Sequence, residues 1–251
     1  MSEFKLNYNV RESAPTLAEF HKSDHAFKLI VGPVGSGKST ACCMEILHRC
    51  MEQETCRDRF RRSKWLVMNS TRHGLDHHTL PTWLDWLPSN VGLGNYDMDS
   101  RTYYLEFDDI RAEIIFRAFD TQEDIADVLN LEVTGAWLND CSNISQYKHE
   151  IIEGRICRFP QRFLGNVTYS TVIADMNMPE IGTYWWRVAG GKPIDDCDDI
   201  VVDCAVFAQP SGLSDRAENV KNLPDGYYDR ISCGKSSAWV NRFIHSKDMY
   251  L

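Results

Sequence analysis

The fold is decided by the stretch Val31-Gly32-Pro33-Val34-Gly35-Ser36-Gly37-Lys38-Ser39-Thr40. From residue 32 it fits the pattern G-x-x-x-x-G-K-[ST], in which the backbone N–H groups of a glycine-rich loop surround a phosphate. Glycine permits positive φ there and leaves no Cβ between the loop and the anion. Lys38 would supply positive charge to the phosphates, and the Ser39 hydroxyl would be placed to ligate Mg²⁺. We therefore predict a nucleotide-binding loop over residues 32–40.

Apolar residues flank this loop on both sides. Residues 26–31 predict a short buried strand, and the positions that follow the loop recur at near-helical spacing on one face: Ala41, Met44, Leu47 and Met51. Strand, loop and helix thus follow in the order that a phosphate site requires. The N-terminal dipole of the helix would favour the anion, which an accidental glycine-rich turn would not provide.

Composition limits the class of protein. With 251 residues, of which 43% are hydrophobic, the chain can bury the core of one large α/β domain or of two smaller ones. Its nine cysteines contain no C-x-x-C pair, which argues against a disulfide framework or a zinc ribbon. The N-terminus lacks a secretory signal, and no apolar run reaches the ~18 residues of a membrane span. We expect a cytoplasmic protein that makes no membrane contact.

Charge argues against a general nucleic-acid-binding surface. The net charge is −9, whereas non-specific binding to DNA needs clustered lysine and arginine. One local basic cluster is formed by Arg57, Arg59, Arg61, Arg62 and Lys64. This cluster is interpreted either as a solvated loop or as a patch that follows phosphates.

The rest of the chain alternates between strand-like and helix-like segments. We predict strands at 65–68, 169–174 and 200–207, an antiparallel hairpin from 102–107 and 112–117, and helices at 80–87, 121–131, 141–152, 216–222, 225–232 and 235–243. This alternation predicts an α/β fold with a mostly parallel central sheet, flanking helices and a β-hairpin insertion.

A second informative stretch ends in a carboxylate. Residues 132–139 are mostly apolar, and Asp140 follows them. In P-loop ATPases an acid at such a strand end holds the Mg²⁺ shell and polarises the attacking water. The competing interpretation is that Asp140 is the N-cap of the predicted helix 141–152.

The predicted strand 169–174 also ends in polar residues. Asp175 and Asn177 follow it, at the place where α/β folds put ligand contacts. A simple turn is the alternative interpretation.

Two other groups of residues resemble metal ligands only in part. His73 and His77 have the H-x-x-x-H spacing and His78 is adjacent, but Gly74 disfavours a helix and no further ligand is near in sequence. The acidic loop at residues 195–199 lacks the glycine and terminal glutamate spacing of a calcium loop. We interpret both as surface features.

The order of several motifs resembles the ATPase half of a large terminase subunit, the DNA-packaging motor protein of tailed bacteriophages. Besides the loop at 32–39, they are Glu19-Phe20-His21-Lys22-Ser23-Asp24, Thr82-Trp83-Leu84-Asp85-Trp86, Leu131-Glu132-Val133-Thr134-Gly135-Ala136-Trp137-Leu138-Asn139-Asp140, Gly154-Arg155-Ile156-Cys157-Arg158-Phe159-Pro160, Ile173-Ala174-Asp175-Met176-Asn177-Met178-Pro179 and Asn222-Leu223-Pro224-Asp225-Gly226-Tyr227-Tyr228. The match covers nearly the whole chain.

The resemblance implies a RecA-like P-loop ATPase of the additional-strand, catalytic-glutamate type, with an extra strand between the P-loop strand and the strand that ends at Asp140. It implies hydrolysis of Mg·ATP that drives double-stranded viral DNA into a procapsid in the host cell cytoplasm. The implied partners are the portal protein and procapsid, the small terminase subunit, and further copies of the chain in a ring. The chain alone is expected to be monomeric.

The resemblance also implies residue roles. Asp140 takes the place of a water-activating glutamate and is one methylene shorter, while Asn139 stands where many P-loop ATPases have the Mg²⁺-shell aspartate. Asp140 is therefore expected to serve both the metal and the water, together with Ser39 on the Mg²⁺. Asp175 and Asn177 match the coupling motif that senses the γ-phosphate.

The arginine finger is expected from Arg155 or Arg158, supplied to a neighbouring subunit. Many members carry an arginine inside the loop where this chain has Val34, which excludes a finger in cis from that position.

We expect a single ATPase domain over residues 1–251, with a lead-in at 1–25, a core at 26–210 and a C-terminal helical segment at 211–251. Terminases continue into a nuclease, and no nuclease activity is expected from these residues. The alternatives are a catalytically weak nucleotide-binding or assembly module, or another P-loop enzyme such as a helicase or a kinase.

Overall fold

A computed structural model describes residues 6–89, 91–190 and 204–247. The described strands are β1 (Phe27–Val31), β2 (Arg61–Asn69), β3 (Gly94–Asp97), β4 (Thr102–Phe107), β5 (Ile110–Ala118), β6 (Gly135–Asn139), β7 (Val172–Met176) and β8 (Ala205–Ala208). They form an eight-stranded sheet in the order β3-β4-β5-β2-β6-β7-β1-β8. The sheet is mostly parallel: β1 pairs with β8, and β2 pairs with both β5 and β6, in the parallel sense.

Helices connect these strands. The α-helices are α1 (Pro15–Lys22), α2 (Lys38–Glu52), α3 (Arg72–Gly74), α4 (Leu80–Trp86), α5 (Gln122–Leu129), α6 (Gln146–Glu153), α7 (Tyr184–Ala189), α8 (Tyr227–Ser232) and α9 (Ser237–Val240). Short 3-10 helices span Cys141–Asn143 and Val220–Asn222, and π-helical turns span Leu75–Thr79 and Asn241–His245. Within the described ranges, no helix is both long and apolar enough to cross a bilayer.

The chain divides into two compact units. One contains residues 6–7, 42–139 and 143–173, and the other contains 8–41, 140–142 and 174–247, within the described ranges. In the first unit the apolar side chains of β2, β5 and β6 form the core, because these strands are buried along most of their length. In the second unit β1 is buried throughout, and Phe27 packs edge-on against Trp185 of α7. The prediction of a single ATPase domain remains a prediction.

The phosphate-loop segment folds as the sequence predicts. β1 ends at Val31, the loop follows, and α2 begins at Lys38. Gly35 and Gly37 have φ values of 73° and 87°, a region that residues with a Cβ rarely occupy. Positive φ at these positions lets the loop curve tightly between strand and helix.

Sheet order confirms the additional strand. β7 lies between β1, which precedes the loop, and β6, which precedes Asp140. The N–H of Gly32 donates to the carbonyl of Met176 at 3.2 Å, directly after β1. Together with the flanking helices, this order agrees with the expected RecA-like architecture.

The hairpin insertion is present and has a further strand. β4 and β5 pair in the antiparallel sense, as predicted, and β3 adds to the free edge of β4. Sequence reasoning missed β3 because its residues, Gly94-Asn95-Tyr96-Asp97, are typical of a turn. A Cβ at residue 94 would clash with the Tyr103 ring, so only glycine fits at this position.

Several predicted boundaries were wrong. The helix predicted at 141–152 is a 3-10 turn followed by α6, and the strand predicted at 169–174 is β7 at Val172–Met176, which places Asp175 inside the strand. Helix 216–222 is reduced to the 3-10 turn Val220–Asn222, while 235–243 divides into α9 and a π-helical turn. α7 was not predicted. The acidic loop at 195–199 and the start of strand 200–207 lie outside the described residues.

Candidate functional site

Lys38 lies inside the curve of the phosphate loop. Its ammonium group donates to the carbonyl oxygens of Gly32 at 2.9 Å and Pro33 at 2.7 Å, and to Oδ1 of Asn177 at 3.3 Å. The residue is only 8% exposed. The structure thus brings the predicted phosphate-binding lysine together with Asn177, which sequence reasoning placed in a sensing role.

Ser39 meets the other residue of the predicted sensing pair. Its hydroxyl donates to Oδ2 of Asp175 at 2.8 Å. Asp175 is 3% exposed and lies in β7, the strand next to β1 in the sheet order. Asp175 is thus a buried strand residue and not part of a turn, whereas the role of this segment in ligand contact remains a prediction.

Asp140 directly follows β6 and has an unusual backbone conformation. Its φ is 48°, which a non-glycine residue adopts at a cost, although aspartate tolerates it better than most residues. The side chain is exposed and accepts a hydrogen bond from the Ser142 hydroxyl at 3.3 Å. Asp140 does not cap α6, because Ser145 does so by accepting from the N–H of Lys148; Asp140 instead directly precedes the 3-10 turn Cys141–Asn143.

The pKa of the Cys141 thiol is affected by both carboxylates, Asp140 and Asp175. Burial is the main reason why the pKa of its thiol lies well above the usual range, and the negative charges of Asp175 and Asp140 raise it further. Both carboxylates therefore act on the same buried thiol. The compact unit that contains the phosphate loop thus also contains Asp140, Asp175 and Asn177.

Asn139 belongs to a polar network in the other compact unit. Its Oδ1 accepts from the Thr79 hydroxyl at 2.6 Å and from Nδ2 of Asn69 at 3.4 Å. Asn69 and Asn139 end the neighbouring strands β2 and β6, where they face each other in register. Thr79 ends the π-helical turn Leu75–Thr79, a type of turn that is frequent at functional sites.

Gln209, the residue directly after β8, supports the loop, and sequence reasoning missed it. Its Oε1 accepts from the Ser36 hydroxyl at 2.7 Å, and its Nε2 donates to the Ser36 carbonyl at 3.1 Å and to Glu218 Oε2 at 2.8 Å. A Cβ at Gly32 would clash with the Gln209 side chain, which explains why glycine is needed there. The available signal was a polar residue two positions after the predicted strand 200–207.

The C-terminal segment also contacts the loop. Val34 donates its N–H to the carbonyl of Phe243 at 2.9 Å, and its own carbonyl accepts from the Tyr228 hydroxyl at 2.9 Å. Asn219 donates from Nδ2 to the carbonyl of Gly35 at 2.8 Å. The outer part of the loop is therefore held by residues more than 180 positions later in the chain. No local sequence pattern indicates this contact.

A cavity of about 560 Å³ lies in the same compact unit. Its lining includes Thr16, Pro210, Arg216 and Glu218. Glu218 is itself bonded to Gln209, and its Oε1 accepts from the N–H of Thr16 at 2.8 Å. Gln209 and Glu218 thus connect the cavity to Ser36 of the loop.

The two predicted finger arginines differ in their surroundings. Arg155 is partly buried and donates from Nη1 to the carbonyl of Leu129 at 2.7 Å. Arg158 is exposed, and its side chain makes no hydrogen bond or ion pair with any residue that the structure describes. Only Arg158 is therefore available to a partner without the loss of an internal bond.

The basic cluster at 57–64 is largely paired with acids. Arg61 pairs with Asp109 at 2.9 Å, Arg62 with Asp58 at 2.5 Å, and Lys64 with Glu113 at 3.1 Å. The solvated-loop interpretation is wrong for these three residues, because they lie in β2, and their pairing with acids argues against a phosphate-following patch. The rings of His73 and His77 lie 4.4 Å apart, yet the described part of the chain holds no group of three His, Cys, Asp or Glu residues suited to a metal ion.

The fold is shared with solved large terminases. The large terminase of a thermophilic bacteriophage matches with a TM-score of 0.68 at 10% identity, over 94% of this chain and 50% of that one. The ATP-gamma-S complex of that terminase gives a TM-score of 0.63 at 11% identity, over 94% and 49%. The large terminase ATPase domain of Thermus phage P74-26 gives 0.55 at 10% identity, over 92% of each chain.

This chain thus spans about half the length of the thermophilic-phage terminase and nearly the whole length of the ATPase domain of Thermus phage P74-26. No protein-family model and no curated protein matches the sequence. At about 10% identity, the likeness shows the fold.

Proposed function

We propose that this chain, which has the fold of large terminase ATPase domains, is an Mg·ATP-dependent motor that hydrolyses ATP to move double-stranded viral DNA into a procapsid. The observation that carries the proposal is the contact of Lys38 and Ser39 with Asn177 and Asp175. A phosphate loop alone indicates nucleotide binding. Polar side chains at the end of β7 that contact the loop lysine and serine are what a site needs to respond to the γ-phosphate.

In this proposal each residue has a distinct task. The N–H groups of residues 32–40 and the Lys38 ammonium bind the phosphates, and Ser39 is a metal ligand. Mg²⁺, when bound, neutralises charge that develops on the transferred phosphoryl group. Asp140 accepts the proton of the attacking water as general base. The cavity beside Glu218 offers space of nucleoside size, linked to the loop through Gln209.

Hydrolysis by an isolated chain is expected to be slow. Asp140 is one methylene shorter than the glutamate found in the terminase family that this chain resembles. A misplacement of ~1 Å in a catalytic group can lower the rate about a hundredfold. An arginine supplied by a neighbouring subunit can contribute about 10³ to 10⁵ in rate. We propose a ring of copies, in which Arg158 reaches the neighbour's nucleotide.

The proposed partners follow from the same function. They are double-stranded viral DNA, the portal protein and procapsid, and the small terminase subunit, in the cytoplasm of the host cell. The net charge of −9 requires that DNA contacts be confined to local patches or to partner surfaces. The second candidate function, a nucleotide-binding module without hydrolysis, is motivated by the pair Asn139-Asp140.

The test separates binding from hydrolysis. Fluorescent ADP binding and phosphate release are measured across protein concentrations, with and without double-stranded DNA, for the wild type, Lys38→Ala and Asp140→Asn. We expect Lys38→Ala to lose binding, and Asp140→Asn to bind normally but release no phosphate. Asp99→Asn, in an exposed turn, is the matched control and should match the wild type.

Three outcomes decide between the candidates. Phosphate release that rises with concentration and with DNA supports the motor. Binding with no phosphate release at any concentration supports the module, and unchanged hydrolysis by Asp140→Asn shows that another group is the base.

A further inference from the structure

We infer that Asp175, on β7, orients the Ser39 hydroxyl for Mg²⁺ and so takes the role that P-loop enzymes usually give to an acid at the position of Asn139. This inference rests on the proposed function, because it concerns the metal that accompanies the nucleotide. It gives Asp175 a positioning role in addition to sensing the γ-phosphate.

The first argument is the direction of the Ser39 hydrogen bond. A hydroxyl that ligates a cation does so through an oxygen lone pair, and its proton must then point to another acceptor. Oδ2 of Asp175 is that acceptor, at 2.8 Å. Outer-shell carboxylates of this kind fix the orientation of a metal ligand and are worth about 10- to 100-fold in metal affinity.

The second argument is the state of Asn139. Its Oδ1 already accepts hydrogen bonds from Thr79 at 2.6 Å and from Asn69 at 3.4 Å. The amide carries no charge, so it cannot offset the charge of a cation as a carboxylate does. Asn139 is thus committed to the polar network of β2, β6 and the π-helical turn.

The third argument concerns burial. Asp175 is 3% exposed, and aspartate is rarely buried unless a charged or polar partner stabilises it. Mg²⁺ is usually bound by one or two carboxylates together with the substrate phosphates. The described residues contain no group of three His, Cys, Asp or Glu that could hold a metal ion by itself. We therefore expect Mg²⁺ to bind with the nucleotide and not before it.

The experiment measures how strongly Mg²⁺ improves nucleotide binding. The affinity for fluorescent ADP is determined in excess Mg²⁺ and in EDTA, for the wild type, Asp175→Asn, Ser39→Ala and the double variant. For Asp175→Asn we expect at least a tenfold loss of the Mg²⁺ enhancement, with affinity in EDTA unchanged. The double variant should lose no more than Ser39→Ala alone, since the two side chains act as one unit.

Two further variants keep the test decisive. Asp140→Asn separates the two acids, because it should lose less of the enhancement than Asp175→Asn, and Asp99→Asn, in an exposed turn, is the matched control that should keep it in full. Thermal unfolding in EDTA verifies that each variant is folded, and Ser39→Ala reports on the same hydrogen bond if Asp175→Asn does not fold.

The outcomes are distinguishable. Wild-type protein that binds no ADP in either buffer overturns the proposed function itself. Wild-type binding with an Mg²⁺ enhancement that Asp175→Asn keeps in full, or that Asp140→Asn alone abolishes, overturns only the inference about Asp175.

Discussion

Thr79 donates a hydrogen bond of 2.6 Å from its hydroxyl to Oδ1 of Asn139. The two residues come from different kinds of structure: Thr79 ends a π-helical turn, and Asn139 is the last residue of β6. Asp140 is the next residue along the chain and has a φ of 48°. The bond therefore holds the side chain at the end of β6, one residue before the proposed general base.

Replacement of the Thr79 hydroxyl should weaken both stability and turnover. Thr79 is 1% exposed, so Thr79→Val leaves the Asn139 amide without its strongest partner in a buried site. We expect a loss of about 1–3 kcal/mol in the free energy of unfolding and a lower rate of phosphate release. Thr79→Ser keeps the hydroxyl and is the control. Urea unfolding and a phosphate-release assay check this, and equal rates for the two variants would contradict the positioning role.

Lengthening the proposed base should raise turnover. Asp140→Glu adds the methylene by which this chain differs from the glutamate of the resembling family, so the carboxylate would reach the water more directly. We expect a higher kcat and an unchanged affinity for fluorescent ADP. Asp99→Glu, in an exposed turn, is the matched control. A lower kcat for Asp140→Glu would show that the site is built around the shorter side chain.

Replacement of Arg155 and replacement of Arg158 should have different effects on stability. Arg155→Ala removes the bond to the Leu129 carbonyl and should lower the free energy of unfolding by about 1 kcal/mol. Arg158→Ala alters an exposed side chain, so its stability should stay within about 0.5 kcal/mol of the wild type. Phosphate release at high protein concentration should nevertheless fall for Arg158→Ala.

Mixing of variants tests whether Arg158 acts on a neighbouring copy. In a mixed ring, an Arg158→Ala subunit keeps the general base Asp140, and a neighbouring Asp140→Asn subunit keeps the finger Arg158. Such a pair can therefore form one complete site. The mixture should hydrolyse ATP faster than either variant alone. If mixing restores nothing in assembled protein, Arg158 is not supplied between subunits.

Stability should fall in mild acid because of His149 in α6. This residue is 1% exposed, and burial lowers the pKa of its imidazole to about 4. The unfolded chain, with a histidine pKa of about 6.5, binds a proton over this range that the folded protein does not bind. The contribution of His149 to the free energy of unfolding should therefore drop by about 2 kcal/mol between pH 7 and pH 5.

Urea unfolding at these two pH values tests the effect of His149. His149→Gln should show a smaller difference between pH 7 and pH 5, whereas His78→Gln, at an exposed position, should behave as the wild type. Glu153 lies 3.8 Å from the His149 ring, and burial raises the pKa of its carboxyl, which acts in the opposite direction at low pH. An identical pH dependence in His149→Gln and wild type would refute the assignment to His149.

Much of the fold could be read from local patterns. β1, the loop and α2 follow from an apolar run, positive-φ glycines and helical spacing, which are all properties of neighbouring residues. Errors arose where tertiary packing overrides local preference: β3 consists of turn-like residues that pair at a sheet edge, and the acid Asp175 lies buried inside β7, where its carboxylate contacts Ser39.

The sequence by itself determined the phosphate loop, the α/β class and the candidates Lys38, Ser39, Asp140, Asp175 and Asn177, because each depends on residue types at fixed spacing. Only the tertiary structure decided which of them meet. Gln209, Tyr228 and Phe243 contact the loop from far along the chain, and such contacts leave no periodic signal. The pairing of Ser39 with Asp175, and of Asn139 with Thr79, likewise depends on strand order and register, which bring residues together regardless of their separation in sequence.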